Sequence, residues 1–261
     1  MVILFLIVSF MASVVGAICG IGGGVIIKPV LDMLGLASVS TISFLSGCTV
    51  LSMSCYSVGR AITGGDNRVN FKTGTPLAIG AAIGGVAGNQ IFNLIKQSAG
   101  NQNMVGGIQA ICLALITAAT IAYEIWSNRI THRHVSNAVH CVIIGLMLGM
   151  MSSFLGIGGG PINLMVLSYF FDMDTKTAAQ NSLYIILFSQ IANLLTTLIT
   201  RSVPEFEVLA LVLMVTGGIL GGIVGRMFYK RMNNQAVRKL YMILMCIIVG
   251  ISIYNAMHMF M

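Results

Sequence analysis

The sequence predicts an all-α integral membrane protein built from two inverted repeats, each a glycine-tipped re-entrant or broken helix hairpin followed by three transmembrane helices. Three observations predict this fold. Hydrophobic residues make up 57% of the 261 residues and charged residues only 8%, whereas a soluble domain carries about 25% charged residues. Six stretches are apolar over about 20 residues, the length that crosses a bilayer. One glycine pentapeptide occurs twice, at 20–24 and at 156–160, each time inside an apolar region.

The six apolar stretches are the predicted transmembrane helices. They lie at about 39–60, 75–95, 104–126, 177–200, 207–227 and 236–258. The regions 2–35 and 138–171, which hold the pentapeptides, are too long for one span and short for two. The order of pentapeptide, span, glycine-rich span and span occurs twice. The single transmembrane domain 1–261 is therefore expected to divide into repeats of about 2–127 and 137–260.

Glycines at four-residue spacing recur in the second span of each repeat. A shift of 137 residues superposes one set on the other: Gly80, Gly84, Gly85 and Gly88 on Gly217, Gly221, Gly222 and Gly225. Small residues at this spacing let two helix backbones approach closely. The pattern therefore predicts helix packing and not a ligand site.

The basic residues predict how the chain crosses the membrane. If each pentapeptide region enters the bilayer and returns to its own side, eleven of the fourteen Lys and Arg residues fall on one face, which the positive-inside rule makes cytoplasmic. If each region crosses fully, the count is six against seven. The re-entrant arrangement gives three crossings per repeat, which inverts the second repeat and places both termini outside. No Lys or Arg tests the N-terminus, so for the first region full crossing stays an alternative.

The glycine tips predict an anion site at the bilayer midplane. Each glycine weakens a helix by about 1 kcal/mol, and non-helical backbone is tolerated in a bilayer where it is buried in protein or lines a polar cavity. A helix that begins near Val25 or Pro161 offers free N–H groups and a partial positive charge. The tip residues predicted to bind the anion are Gly22, Gly23, Gly24, Gly158, Gly159 and Gly160. The alternative is that the glycines only allow two helices to cross closely.

Polar side chains near the tips are predicted to complete the anion site. Ser43, Asn181 and Ser182 lie early in the spans that follow the tips and offer hydroxyl or amide donors. Weaker candidates on the same spans are Ser46, Gln180, Gln190 and Asn193. Lys28 is a charge inside an apolar segment, which is a functional hypothesis by default. It either attracts the anion or extends to the nearer membrane surface.

The remaining residues argue against other kinds of chemistry. Asp32 and Glu124 lie near predicted ends of apolar segments, so anion movement driven by the membrane potential, without a carboxylate to carry a proton, is expected. The cysteines lack metal-ligand spacing, and His132, His134 and His140 lie in or beside a basic linker, so no metal, cofactor or enzymatic centre is expected. Basic residues confined to short loops predict no nucleic-acid partner. The expected partners are the bilayer and a small anion, and a homo-oligomer is left open.

The doubled motif is similar to that of a known family. Gly-x-Gly-Gly-Gly followed five residues later by Pro29, and repeated with Pro161, resembles the sulfite exporter TauE/SafE family over essentially the whole chain. Family members typically carry a threonine before the serines that correspond to Ser43 and Ser182, whereas isoleucine and asparagine precede them here. The resemblance implies a multi-pass permease of the cell inner membrane that exports sulfite, sulfoacetate or a related sulfonate. The alternatives are uptake of thiosulfate or a sulfonate, and a membrane subunit that does not transport.

Overall fold

The described residues of the chain form helices and no strand. The computed structural model describes residues 2–99, 102–127, 134–157 and 159–260. These residues fold into ten helices: α1 Val2–Cys19, α2 Gly24–Leu34, α3 Val39–Thr63, α4 Phe71–Ala99, α5 Gln102–Trp126, α6 Ala138–Leu155, α7 Pro161–Phe171, α8 Thr175–Ile199, α9 Val208–Arg231 and α10 Asn234–Phe260. Among them, α3, α5, α6, α8, α9 and α10 are long and apolar enough to cross a bilayer. The chain is a membrane protein.

Five of the six predicted spans coincide with helices of that set. The sixth, 75–95, lies within the 29-residue helix α4, while α6 joins the set although it was predicted as one arm of a glycine hairpin. Helix starts follow local polar signals. The Ser38 hydroxyl accepts the N–H of Thr41 at the start of α3, and the Asn137 amide oxygen accepts the N–H of Val139 at the start of α6. Both are side-chain caps of otherwise unpaired N–H groups.

Each glycine pentapeptide interrupts a helix where the sequence predicts it. The first separates α1 from α2 and the second separates α6 from α7, and the following helices begin at Gly24 and Pro161. Proline suits a first helical position because its missing N–H would have no partner there. Gly20 and Gly22 have φ angles of 73° and 72°, and Gly156 has 66°. L side chains rarely adopt this left-handed backbone, so these turns require glycine.

Each interrupted segment turns back toward its own start. In the second, the N–H of Val135, which precedes α6, donates to the carbonyl of Phe170 in the last turn of α7 at 2.9 Å. In the first, Phe5 near the start of α1 and Leu31 near the end of α2 share one buried cluster with Met214 of α9. In both segments glycines therefore form the bend between two helices.

Glycine ridges bring two pairs of helices into backbone contact. A side chain at any of the ridge positions would meet the backbone of the neighbouring helix. The positions are Gly80, Gly84 and Gly88 on α4 against α6, and Gly217, Gly221 and Gly225 on α9 against α1. The predicted helix-packing role of these glycines is confirmed. The contacts advance in the same direction along both members of each pair, so α4 runs parallel to α6 and α9 runs parallel to α1.

The two halves of the chain use their corresponding helices in the same packing contacts. Helix α1 packs on α9 and α6 packs on α4; α2 packs on α10 and α7 packs on α5; α3 packs on α9 and α8 packs on α4. Helices α3 and α8 pack on each other, as do α5 and α10. If each of the first five helices is exchanged with the helix five places later (α1 with α6, α2 with α7 and so on), the set of pairs stays the same.

The glycine bends lie in the main core of the protein. Ile21 of the first bend and Ile157 of the second belong to one buried cluster, together with Tyr241 of α10. The Tyr241 hydroxyl also donates to the backbone carbonyl of Pro161 at 3.0 Å, which fixes the start of α7. The two bends therefore lie inside the helix bundle, where their polar backbone is shielded from lipid.

A polar cavity above the glycine bends

A cavity of about 660 Å³ lies between α3, α4, α6 and α8 and extends to the second glycine bend. Along its α8 wall, exposure rises from buried Gln190 to exposed Thr200. The cavity therefore opens where α8 ends, beside the loop at 202–204. Ser152 and Gly156 line its inner end together with Ser43. A space of this volume is typical of a site for a small ligand.

The cavity wall is uncharged and carries hydroxyl and amide groups among apolar residues such as Phe44, Phe92 and Leu194. Its hydroxyl groups belong to Ser40, Ser43, Ser152, Ser153, Thr196, Thr197, Thr200 and Ser202, and its amides belong to Asn89, Gln90, Gln190 and Asn193. All lining residues lie in the described part of the chain, and none is Asp, Glu, Lys, Arg or His. Hydroxyl and amide groups can donate hydrogen bonds to an anion. Without a full positive charge on the wall, an anion is not held by strong Coulomb attraction and can leave again.

Hydrogen bonds hold part of this wall in place. The Asn193 amide nitrogen donates to the Ser153 hydroxyl oxygen at 2.6 Å, which joins α8 to α6. The Asn89 amide nitrogen donates to the Thr197 hydroxyl oxygen at 3.3 Å, which joins α4 to α8. The polar groups near the mouth are therefore arranged before a ligand arrives.

Two hydroxyls at the inner end have no partner. The oxygens of Ser43 and Ser152 are buried and make no hydrogen bond to the described residues. A side chain on Gly156 would come within 2.6 Å of the Ser43 oxygen. Because buried polar groups are normally paired, these two hydroxyls are hydrogen-bonding groups left over at the inner end of the cavity.

The two glycine bends touch each other beneath the cavity. A side chain on Gly24 would meet the carbonyl oxygen of Ile157, so the backbones are in direct contact there. Gly23 is the N-cap of α2 and packs against Ser13, and Gly22 is buried beside it. Close packing of the bends, the alternative raised by the sequence, is thus present whether or not the bends also bind an anion.

The second bend is packed in the same way. A side chain on Gly159, where φ is 128°, would meet Ile186, and one on Gly160 would lie 3.4 Å from Val25. Gly158 lies outside the described residues. Among the described residues of both bends, Gly156 alone lines the cavity. The N-termini of α2 and α7 therefore lie below the cavity and do not form its wall.

The polar residues predicted near the bends separate into two groups. Ser43 lines the cavity. The Asn181 amide instead accepts the N–H of Asn70 and donates to the carbonyl of Arg68, each at 3.0 Å. The Ser182 hydroxyl accepts a hydrogen bond from Asn163 at 3.3 Å. Ser43 therefore faces the cavity. Asn181 and Ser182 instead join parts of the protein that lie below the cavity.

Lys28 is buried and paired with Asp32. Its side chain is 4% exposed, that of Asp32 is 8% exposed, and the ammonium lies 3.0 Å from one carboxylate oxygen. Of the two alternatives for Lys28, extension to the nearer membrane surface does not fit this burial. Asp32 lies near the end of α2, as the sequence indicates, but its carboxylate is buried. Sequence reasoning missed Asp32 although its signal was present, because opposite charges four residues apart meet on one helix face.

Other cavity residues also escaped the sequence reasoning. Asn89 and Gln90 interrupt the apolar stretch of α4, and Ser152 and Ser153 end the apolar run of α6. Adjacent polar residues inside an apolar segment are the signal that would have found both pairs. The glycine motif drew attention to the spans that follow it and away from these two helices.

The opposite end of the protein is closed by hydrogen bonds. The Gln180 amide oxygen accepts the N–H of Arg68 at 2.9 Å, so the segment between α3 and α4 is fixed to α8. The Arg226 guanidinium donates to the carbonyl of Arg60 at 3.0 Å, which joins α9 to the end of α3. The protein is thus open at one end of the bundle and closed at the other.

The linker histidines lie away from the cavity. His132 lies outside the described residues. His134 pairs with Asp172 at 3.7 Å, where both side chains are well exposed, and His140 is exposed at the start of α6. None of the described histidines faces the glycine bends.

Comparison with known proteins indicates a family. A protein-family model described as Sulfite exporter TauE/SafE matches residues 5–253 of the chain. The probable membrane transporter protein YunE of Bacillus subtilis (strain 168) is 22% identical over 278 residues, which cover 94% of this chain and 95% of that protein. No solved structure matches the chain.

Proposed function

We propose that this chain, which belongs to the sulfite exporter TauE/SafE family, exports a small sulfur-containing anion such as sulfite, sulfoacetate or a related sulfonate across the cytoplasmic membrane. The coarser function, a membrane transporter, follows from the family and from the similarity to YunE. The observation that carries the finer proposal is the uncharged, donor-lined cavity, open at one end of the bundle and closed at the other.

The anion binds at the inner end of this cavity. Ser43 and Ser152 supply the unpaired hydroxyls, and three oxygens on one sulfur can each accept a hydrogen bond. The glycine bends lie directly beneath and contribute N–H groups and helix-end charge once the surrounding helices move. Lys28 lies behind the bends and adds attraction for the anion once its pair with Asp32 opens. Asn181 is assigned to the closed end, where its amide joins α8 to the segment before α4.

The transporter is proposed to work as two inverted repeats with re-entrant hairpins. The exchange of helix pairs between the halves supports the repeat, and the contact between Val135 and Phe170 supports a hairpin that returns to its own side. The cavity opens beside Arg201, on the face that the basic-residue count assigns to the outside. This arrangement corresponds to an outward-open state. Export requires the closed end, where Gln180 binds the segment at 66–70, to open in turn.

Uptake of thiosulfate or a sulfonate is the second candidate, and one observation favours it. A buried carboxylate, Asp32, lies beside the buried ammonium of Lys28. A carboxylate next to a cation can take up a proton together with an anion, and an inward proton gradient would then draw the anion into the cell. Direction therefore depends on whether a proton accompanies the anion.

Transport of labelled anions into and out of proteoliposomes tests the proposal. Sulfite, thiosulfate and sulfoacetate are compared at equal pH, with liposomes lacking protein as the blank. Loss of one hydrogen bond to a charged group costs about 1.5–3 kcal/mol, so Ser43→Ala should lower transport at limiting anion roughly 10- to 150-fold. Ser202→Ala, at the exposed rim, is the matched control and should change it little. Flux equal to the blank for all three anions would identify a non-transporting subunit and reject the proposal.

A further inference from the structure

A second, much smaller space lies beside the Lys28–Asp32 pair. Its volume is about 10 Å³, the size of one water molecule, and it is lined by residues of α2, α5 and α10 together with Leu155. Gln109 of α5 and Ser252 of α10 face it from opposite helices. They are 3% and 1% exposed, so neither side chain has access to bulk solvent.

Three oxygen atoms around this space have no hydrogen-bond partner among the described residues. They are one carboxylate oxygen of Asp32, the amide oxygen of Gln109 and the hydroxyl of Ser252. The Gln109 amide nitrogen donates to the backbone carbonyl of Phe154. Since a carbonyl can only accept, this bond fixes the amide orientation and leaves its oxygen facing the space. The site therefore has two oxygens that can only accept and one hydroxyl that can donate to one of them, so one acceptor is left over unless a further donor is present.

A proton on Asp32 would supply such a further donor. The protonated Oδ1 of Asp32 can donate to the Gln109 amide oxygen, and the Ser252 hydroxyl can donate to an oxygen that remains. A bare sodium ion would instead need several oxygen ligands and would add a second full positive charge beside Lys28, where burial makes uncompensated charge costly. The charge balance therefore favours the proton over a sodium ion.

The pair also touches the floor of the large cavity. A point at the Cβ position of Gly156 lies 3.4 Å from Lys28 Cε and 2.6 Å from the Ser43 hydroxyl. The end of the lysine chain and the cavity serine therefore approach the same glycine from two sides. Lys28 itself does not line the cavity, because its ammonium is turned to Asp32 at 3.0 Å.

We infer that Asp32 takes up one proton for each monovalent anion that binds. The hydrogen bond from Lys28 Nζ to Asp32 Oδ2 breaks, Oδ1 gains a proton from solvent, and the freed ammonium donates to the anion beside Ser43. Before binding, the ammonium and the carboxylate cancel. After binding, the ammonium and the anion cancel, while Asp32 is neutral. The buried site thus carries no net charge in either state, which avoids the cost of an unpaired buried ion.

Apart from Lys28 and Asp32, no titratable group among the described residues shares the small space. Its lining from α2 contains Lys28, Pro29 and Asp32, and its lining from α5 and α10 contains the polar residues Gln109, Ser252 and Asn255, which do not titrate near neutral pH. The backbone carbonyl of Pro29 accepts a hydrogen bond from Asn255 at 2.8 Å. A proton taken up at this site is therefore assigned to Asp32.

The inference rests on the proposed anion transport and favours the uptake candidate over export, because an inward proton gradient would carry a proton and an anion into the cell together. Proton counting during binding tests it without requiring transport. The purified full chain is held in weakly buffered detergent solution with a pH indicator, and sulfoacetate or methanesulfonate is added. A sulfonate group does not itself titrate near neutral pH. The wild type should take up one proton per bound monosulfonate, and its affinity should fall by roughly tenfold per pH unit where Asp32 is ionised in the empty protein.

Asp32→Asn removes the proton acceptor and keeps the shape of the side chain. This variant should bind the sulfonate without proton uptake and with an affinity that does not change with pH. Asp172→Asn, an exposed carboxylate beside His134, is the control and should retain the wild-type proton count. Lys28→Met should lose at least tenfold in affinity.

The outcomes separate the two proposals. Sulfonate binding by the wild type without proton uptake overturns the inference and leaves the proposed function standing. Proton uptake that persists in Asp32→Asn also overturns the inference, because another group then carries the proton. Absence of binding by sulfite, thiosulfate and both sulfonates overturns the proposed function and the inference with it. A wild-type count of zero overturns the inference even if Asp32→Asn does not fold.

Discussion

Substitution of Gly24 by alanine is the sharpest test of the contact between the two glycine bends. The new methyl group would meet the carbonyl oxygen of Ile157 and would lie 2.9 Å from its carbonyl carbon and 3.0 Å from the Ser46 hydroxyl oxygen. An ordinary contact needs at least 3.4 Å. Two of the three clashing atoms are backbone and cannot rotate away, so the bends must separate.

The expected cost follows from that geometry. Overpacking of a close-packed interior costs about 1–3 kcal/mol. Alanine favours a helix over glycine by about 1 kcal/mol in its interior, but Gly24 is the first residue of α2, where this gain is smaller. Conformations in which the two bends touch should therefore be destabilised by about 1–3 kcal/mol. If transport requires these conformations, it should fall roughly 5- to 150-fold.

Gly250→Ala provides the matched control for this measurement. Gly250 lies in α10, and a side chain built there meets no atom within 4 Å. It should leave anion flux unchanged and raise the melting temperature slightly. Labelled-anion efflux from proteoliposomes and thermal unfolding in detergent are measured for both variants at equal protein density. If Gly24→Ala matched Gly250→Ala in flux and in melting temperature, the bends would not be in the contact described.

Three further predictions concern the packing, the cavity and the topology. Gly84→Ala should lower the melting temperature, because its methyl group would strike the α6 backbone, whereas Gly59→Ala meets no atom and should not. A membrane-impermeant thiol reagent added outside should block transport through Cys48, which lines the cavity; bound anion should protect it and Cys48→Ser should be insensitive. Reporter fusions in the loops 60–74 and 228–235 should both report the cytoplasm and one at the C-terminus the outside, whereas opposite sides for the two loops would contradict the inverted repeat.

The helices and the bends were predictable because their signals are local. Apolar length predicts a span, and adjacent glycines predict a break in a helix wherever they occur. Both breaks were found where expected, with helices beginning at Gly24 and Pro161. The pairing of α4 with α6 was harder, because four-residue glycine spacing predicts a close partner but does not say which helix it is. That choice depends on three-dimensional packing that no single segment encodes.

The candidate site was predictable only in part, for a physical reason. Sequence position placed Ser43, Asn181 and Ser182 near the bends, but a helix has several faces, and the span sequences do not say which one meets the cavity. Asn181 faces the segment before α4 and Ser43 faces the cavity. Asp32 was set aside because it lies near the end of an apolar segment. In a hairpin that folds back into the core, the end of a segment is not the surface of the protein.

The burial of Asp32 bears on the driving force for anion transport. An inside-negative potential favours exit of a monovalent anion by about 2.3 kcal/mol per 100 mV, which is roughly forty-fold in concentration. That drive acts fully only if no proton travels with the anion. If Asp32 takes up one proton per sulfonate, the loaded protein moves no net charge. The potential then has no effect, and each pH unit across the membrane contributes about 1.4 kcal/mol instead.

A potassium diffusion potential at equal pH should therefore leave sulfonate flux through the wild type unchanged and should drive it through Asp32→Asn in the direction of the imposed field. A wild-type flux that followed the potential would show that Lys28 and Asp32 remain paired while the anion crosses.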